Sequence, residues 1–118
     1  MRKNRPDTQP LRLVPMLRDA NRRSLEALAP HTDVVTVPAG RTVVESGRTA
    51  RELLVLVEGE AQKTGPDGLP HGLAAGAEIG ADELRAHGQY EHTVVTRTDA
   101  TFVVIEGRAF RGIDRRAS

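Results

Sequence analysis

The chain predicts a mainly β protein, a double-stranded β-helix or jelly-roll-like β-roll with short flanking α-helices. Three observations carry that prediction. Short β-branched and apolar runs recur between His31 and Glu106. Turn signals such as Pro38-Ala39-Gly40, Gly47, Gly59 and Pro66-Asp67-Gly68 break them at strand-length intervals. Helical periodicity is confined to the two ends and to one interlude, ADELRAH at 81–87.

Taken in order, residues 1–10 are polar, carry two prolines and are expected to be a disordered lead, with one domain over 11–118. Leu11, Val14 and Leu17 then share a helical face that Pro15 interrupts. Asn21 is placed to N-cap a second helix, because its side chain accepts from a backbone N–H that has no helical partner. Leu25 and Leu28 give that helix an apolar stripe, and Pro30 ends it. DVVTV and RTVVESG read as the first two strands. ELLVLVEGE places Leu53, Val55 and Val57 on one face and Leu54 and Leu56 on the other, the pattern of a strand buried on both sides. AQKT and HGL flank the Pro66-Asp67-Gly68 turn as a hairpin, and AEIG is a further fragment. HTVVT and TFVVIE close the sheets across a tight turn at Asp99-Ala100. Ala109, Phe110 and Ile113 stand at helical spacing in a closing helix.

Composition narrows the function classes. The 118 residues include no cysteine, so disulfides and thiolate metal sites are excluded. No apolar run approaches the ~20 residues of a membrane span, and no apolar stretch follows the basic N-terminus as a signal peptide requires; a cytoplasmic protein without membrane association is expected. The net charge is +1, but Arg2, Lys3 and Arg5 load one end and Arg108, Arg111, Arg115 and Arg116 the other. Such ends suit solvent, an acidic partner or nucleic acid. Three aromatic residues, Tyr90, Phe102 and Phe110, are too few for a base-stacking surface.

The order of these elements resembles the cyclic nucleotide-binding domain of catabolite-activator-type sensors. The resemblance runs from about Leu11 to Ile113. It rests on SLEALAP at the end of the leading helix, the VPAG turn (Val37 to Gly40), VVESG, LLVLVEGE with its terminal Gly59, and VVIEGRAF leading into the last helix. It implies a β-roll and places the ligand site at GAEIGADELRAHGQYEHTVV, Gly76 to Val95, as a phosphate-binding cassette. In the family a Phe-Gly-Glu opens a short helix, whose N-terminal N–H groups and dipole meet the cyclic phosphate. An Arg-Ser/Thr-Ala follows at the head of the next strand, where the arginine neutralises the phosphate, and the glutamate accepts from the ribose hydroxyl.

This chain departs from that pattern at both ends of the cassette. Ile79-Gly80 stands at Phe-Gly, Ala81 at the glutamate, with Asp82 and Glu83 one and two residues later. Glu91 stands at the arginine, followed by His92 and Thr93. Unit charges ~4 Å apart interact by roughly 4 kcal/mol at an effective dielectric near 20, so exchanging attraction for repulsion costs several orders of magnitude in affinity. Arg85 and Arg97 are the candidates to replace the missing cation. The other reading makes Asp82 and Glu83 stabilisers of their own helix dipole, with Glu91 paired to Arg85 or Arg97 at the surface.

Other chemistries find less support. His31, His71, His87 and His92 form no H-x-H pair, and no metal is expected. Ser24, Ser46 and Ser118 lie in no nucleophile elbow, and there is no Walker-type glycine loop. The chain reaches Ser118 without a helix-turn-helix, so sequence-specific DNA binding is not expected. The reading is therefore a non-enzymatic regulatory or protein-interaction module with a degenerate cassette and no cofactor. It would dock a partner protein, through the arginine-rich closing helix, or a second copy of itself. A cyclic nucleotide or less anionic ligand held in an altered pocket is the second reading. An accessory protein touching nucleic acid through basic termini is the third.

Overall fold

The computed structural model describes residues 7–117, with the side chains of 115–117 outside the described residues. Eight strands form two antiparallel sheets. They are β1 (Thr32–Val37), β2 (Thr42–Val44), β3 (Glu52–Glu58), β4 (Ala61–Thr64), β5 (Pro70–Leu73), β6 (Glu78–Ile79), β7 (Thr93–Thr96) and β8 (Ala100–Glu106). The first sheet has the order β1-β8-β3-β6 and the second β2-β7-β4-β5. This is the β-roll the sequence predicts.

Strand β3 lies at the centre for the reason its sequence announces. Leu53, Leu54, Val55 and Leu56 are consecutive and all buried, so both faces of the strand are covered. One core cluster joins them to Phe102, Val103 and Ile105 of β8 and to Val44, Ala61 and Val94 of the second sheet. The Pro66-Asp67-Gly68 turn joins β4 to β5, pairing Thr64 with Pro70.

Three helices cap the roll: α1 (Arg22–Leu28), α2 (Ala81–Arg85) and α3 (Gly107–Ala117). Asn21 caps α1 as expected, its side-chain oxygen accepting from the Ser24 N–H at 2.8 Å. The leading segment differs from a single interrupted helix. It folds as two 3-10 turns, Gln9–Leu13 and Pro15–Leu17, because Pro15 removes a donor and restarts the chain. Leu11 and Val14 still reach the core. The first turn begins at Gln9, inside the segment expected as a disordered lead; residues 1–6 of that lead, with Arg2, Lys3 and Arg5, lie outside the described residues.

Helix α3 starts directly where β8 ends. The Gly107 N–H donates to the Arg51 carbonyl at 2.7 Å. A Cβ at Gly107 would sit 2.6 Å from that oxygen and 2.6 Å from Leu84 Cδ2, so only glycine lets α3, α2 and the entry to β3 meet here.

The one buried polar residue among those described, Thr96, ties the second sheet to the Pro38–Arg41 turn. Its hydroxyl donates to the Pro38 carbonyl at 2.7 Å and accepts from the Arg41 N–H at 2.9 Å. Thr96→Val keeps the shape and strands both partners. A loss of about 1–3 kcal/mol is expected, read as a lower denaturant midpoint at unchanged m-value.

Candidate functional site

The cassette segment is held at both ends by the backbone of β3. At its start, the Gly76 N–H donates to the Leu56 carbonyl at 2.7 Å and the Leu56 N–H to the Ala77 carbonyl at 2.9 Å. At its end, the Tyr90 hydroxyl donates to the Glu52 carbonyl at 2.7 Å and accepts from the Glu52 N–H at 3.2 Å. Between these anchors Gly80 turns the chain into α2 with φ 99°, in the left-handed region. A Cβ there would lie 2.9 Å from Tyr90 Cε1 and 3.0 Å from the Glu52 carbonyl oxygen. Gly80 is thus required twice, for its dihedral and for the space Tyr90 occupies.

A cavity of about 280 Å³ opens between α2, β4 and the head of β7. The predicted positions Gly80, Ala81, Asp82, Glu83, Glu91 and His92 all line it. Thr93 does not; its hydroxyl turns to the β2 side and accepts from the Ser46 N–H at 3.1 Å. Sequence reasoning missed Glu78, Lys63 and Tyr90, which also line the cavity. The signal for Tyr90 was present: one tyrosine in an otherwise polar loop is a natural buried anchor. Lys63 enters through the register Lys63–Val94 between β4 and β7, which local sequence does not reveal.

The charges around this cavity are mostly negative. Glu78, Asp82, Glu83 and Glu91 bring carboxylates to it. Glu83 bridges the cassette, its Oε2 accepting from the Glu91 backbone N–H at 3.2 Å. That contact joins the first turn of α2 to the approach to β7. Asp82 and Glu83 also stand at the positive end of the five-residue α2.

Both proposed replacement arginines have side-chain partners. Arg85 borders the cavity, but its Nε donates to Asp114 Oδ2 at 3.1 Å and its Nη1 to Asp82 Oδ1 at 3.2 Å. Its guanidinium also lies 5.4 Å from the centre of the Phe110 ring. The hydrogen bond to Asp114 holds its pKa above the usual arginine value. Arg97 sits beyond β7 and donates to Gln62 Oε1. Neither arginine pairs with Glu91 among the described ion pairs.

The histidines are dispersed. His31 Nδ1 lies 3.2 Å from Glu106 Oε2, and His71 Nε2 lies 3.5 Å from Asp67 Oδ2. His92 packs against Gly65, where a Cβ would be 2.7 Å from its ring. Among the described residues no three His, Asp or Glu side chains converge as a metal site, and no helix is long and apolar enough to cross a membrane.

The described residues form a β-roll of two four-stranded sheets, with a short helix inserted before β7 and a helix after β8. The chain is a member of the cyclic nucleotide-binding domain family, whose profile matches residues 34–116. No curated protein sequence matches it significantly. Among solved structures, it resembles the regulatory subunit of a cAMP-independent protein kinase A from Trypanosoma brucei. The identity is 20% and the TM-score 0.75, over 86% of this chain and 39% of that one. It also resembles the regulatory domain of Toxoplasma gondii protein kinase A with cAMP, at 19% identity and TM-score 0.75, over 88% of this chain and 42% of that one. A third match is a triple variant of the trypanosome subunit, one change of which is threonine to arginine, bound to cAMP in its A site. Here the identity is 19% and the TM-score 0.75, over 92% of this chain and 44% of that one. The chain thus spans about two fifths of the length of these structures. At such identities the likeness establishes the fold.

The anchor at Tyr90 has a direct optical test, because Tyr90 is the one tyrosine and there is no tryptophan. Burial raises its pKa above 10.0, and the hydrogen bonds to the β3 backbone only partly oppose this. The folded state therefore holds the phenolic proton more tightly than the unfolded chain. Stability from this group is intact below pH ~10 and declines as pH rises past the unfolded value. Phenolate absorbance should appear at higher pH in the native protein than in denaturant. Coincident titration curves would contradict the buried anchor. Tyr90→Phe should lower stability by about 1–2 kcal/mol in denaturant unfolding.

Proposed function

We propose that this chain is a non-enzymatic regulatory module that docks a partner protein and whose cassette does not take a cyclic phosphate in the family's ordinary way. The observation that carries this reading is the state of the cassette's charges. Glu83 already occupies the Glu91 amide, and Arg85 is spent on Asp82 and Asp114. A cyclic phosphate would enter a cavity bordered by four carboxylates, Glu78, Asp82, Glu83 and Glu91. The described cations around it are Lys63 and the committed Arg85. The trypanosome relative described as cAMP-independent, and its arginine-bearing variant solved with cAMP, give this reading a parallel.

One observation favours the second reading. Lys63 is half-buried, lines the cavity and makes no ion pair among the described residues. It would meet a small ligand of lower charge than a cyclic phosphate, which makes the domain a sensor with an altered pocket.

Thermal unfolding with rising cyclic AMP or cyclic GMP separates the two. A ligand at 100 times its Kd stabilises the folded state by about 2.7 kcal/mol, a shift of several degrees for a domain of this size. No shift is expected. A shift that grows with concentration would overturn the lost-phosphate reading. Glu91→Arg should introduce nucleotide-dependent stabilisation if charge is the main obstacle. Its continued silence would assign the loss to the geometry that Tyr90 and Glu83 impose.

A further inference from the structure

A second set of charges lies on the far side of α2 from the cassette cavity. Two adjoining cavities of about 400 and 350 Å³ share His87, Arg108 and Arg111. The first adds Arg51 and Glu106, the second Arg85 and Asp114. Arg108 and Arg111 are three apart on α3, so they stand on one helical face, and the Gly107–Arg51 contact brings Arg51 beside them. Both acids at the rim are already engaged, Glu106 near His31 and Asp114 with Arg85. Arg51, Arg108 and Arg111 form no ion pair among the described residues. Arg51, Arg108 and Arg111 all line the first cavity and repel one another there, and with its one acid, Glu106, set beside His31 the cavity favours an anion.

His87 supplies an independent observation. It follows α2 with φ 53°, the one non-glycine residue with positive φ among those described. Its N–H donates to the Leu84 carbonyl at 3.2 Å, closing the helix in the left-handed conformation that glycine normally takes. A histidine in place of glycine here costs backbone energy and contributes nothing to the core, because its side chain is exposed. What it does contribute is an imidazole on the wall shared by the two cavities.

We propose that Arg51, His87, Arg108 and Arg111 form a docking trough for an acidic peptide segment of a partner protein. This rests on the protein-docking reading above and gives the partner its chemistry. The two cavities share His87, Arg108 and Arg111 and together are lined by residues from Thr49 to Asp114, which suits successive carboxylates on a peptide rather than one compact anion. Guanidinium forks pair with carboxylates bidentately. Nucleic acid fits less well. All three aromatic residues are buried, so no base has a ring to stack on.

The test is fluorescence anisotropy of a labelled oligoglutamate peptide with the intact chain, beside an oligoglutamine peptide, duplex DNA and single-stranded RNA. The glutamate peptide should bind at low salt, more weakly at physiological salt, and the glutamine peptide should not bind. Arg108→Gln with Arg111→Gln should weaken binding at least ~tenfold, and Arg51→Gln should weaken it separately. Arg22→Gln with Arg23→Gln removes equal charge from α1 and should leave it unchanged. His87→Gly should weaken binding while raising the melting temperature, a pairing that a purely structural histidine would not produce. The trough assignment fails if the glutamate peptide does not bind. It also fails if the trough variants bind it like the unaltered chain, if the α1 control loses as much, or if nucleic acid binds more tightly. The nucleotide melting experiment, run on the same proteins, judges the cassette separately: stabilisation by a cyclic nucleotide would remove that reading whatever the peptide does.

Discussion

The backbone from Arg51 to Leu56, at the entry and first half of β3, holds the rest of the molecule in place. Its side chains fill the core on both faces, so the strand cannot shift without opening the roll. Its edge groups then anchor everything else. Leu56 receives the start of the cassette, Glu52 receives Tyr90 at the cassette's end, and Arg51 receives Gly107 at the start of α3. The cassette is a loop-helix segment pinned at both ends to the most rigid strand. A pinned segment has little freedom to reshape itself around a ligand, so its charges matter more than its sequence length suggests.

Some of those charges have partners within the chain. Glu83 and Asp82 meet the positive end of α2 and then reach onward, one to the Glu91 amide and one to Arg85. Arg85 in turn leaves the cassette for Asp114 and the Phe110 ring on α3. The exposed ion pairs in this chain are each of small energetic value, but their direction is consistent. They tie α2 to α3 and leave the cassette's negative groups facing the cavity. The same arrangement leaves Arg51, Arg108 and Arg111 uncommitted on the opposite side of α2. Carboxylates thus gather at the cavity between α2, β4 and β7, and arginines at the cavities beside the start of α3.

Much of the fold was legible before any coordinates. The double-faced apolar run of β3, the proline-glycine turns and the Asn21 cap each specify their structure locally, because each works through a few neighbouring residues. The leading segment was less legible. Leu11, Val14 and Leu17 have helical spacing, yet Pro15 splits them into two 3-10 turns, and only packing of Leu11 and Val14 into the core decides how they lie. At the site, the acidic character of Asp82, Glu83 and Glu91 was visible in the chain. Lys63 was not, since it arrives from a strand brought alongside by sheet register.

The sequence by itself determined the β-roll and the acidic character of the segment that carries Asp82, Glu83 and Glu91. These follow from residue type and spacing along the chain. Only the tertiary structure decided where the remaining charges go. It set Arg85 against Asp82 and Asp114, put Glu83 across the loop onto the Glu91 amide, and gathered Arg51, His87, Arg108 and Arg111 from three separate segments. Ion pairing and convergence depend on distances between residues far apart in the chain, and those distances exist only once β3 has drawn α2 and α3 onto its ends.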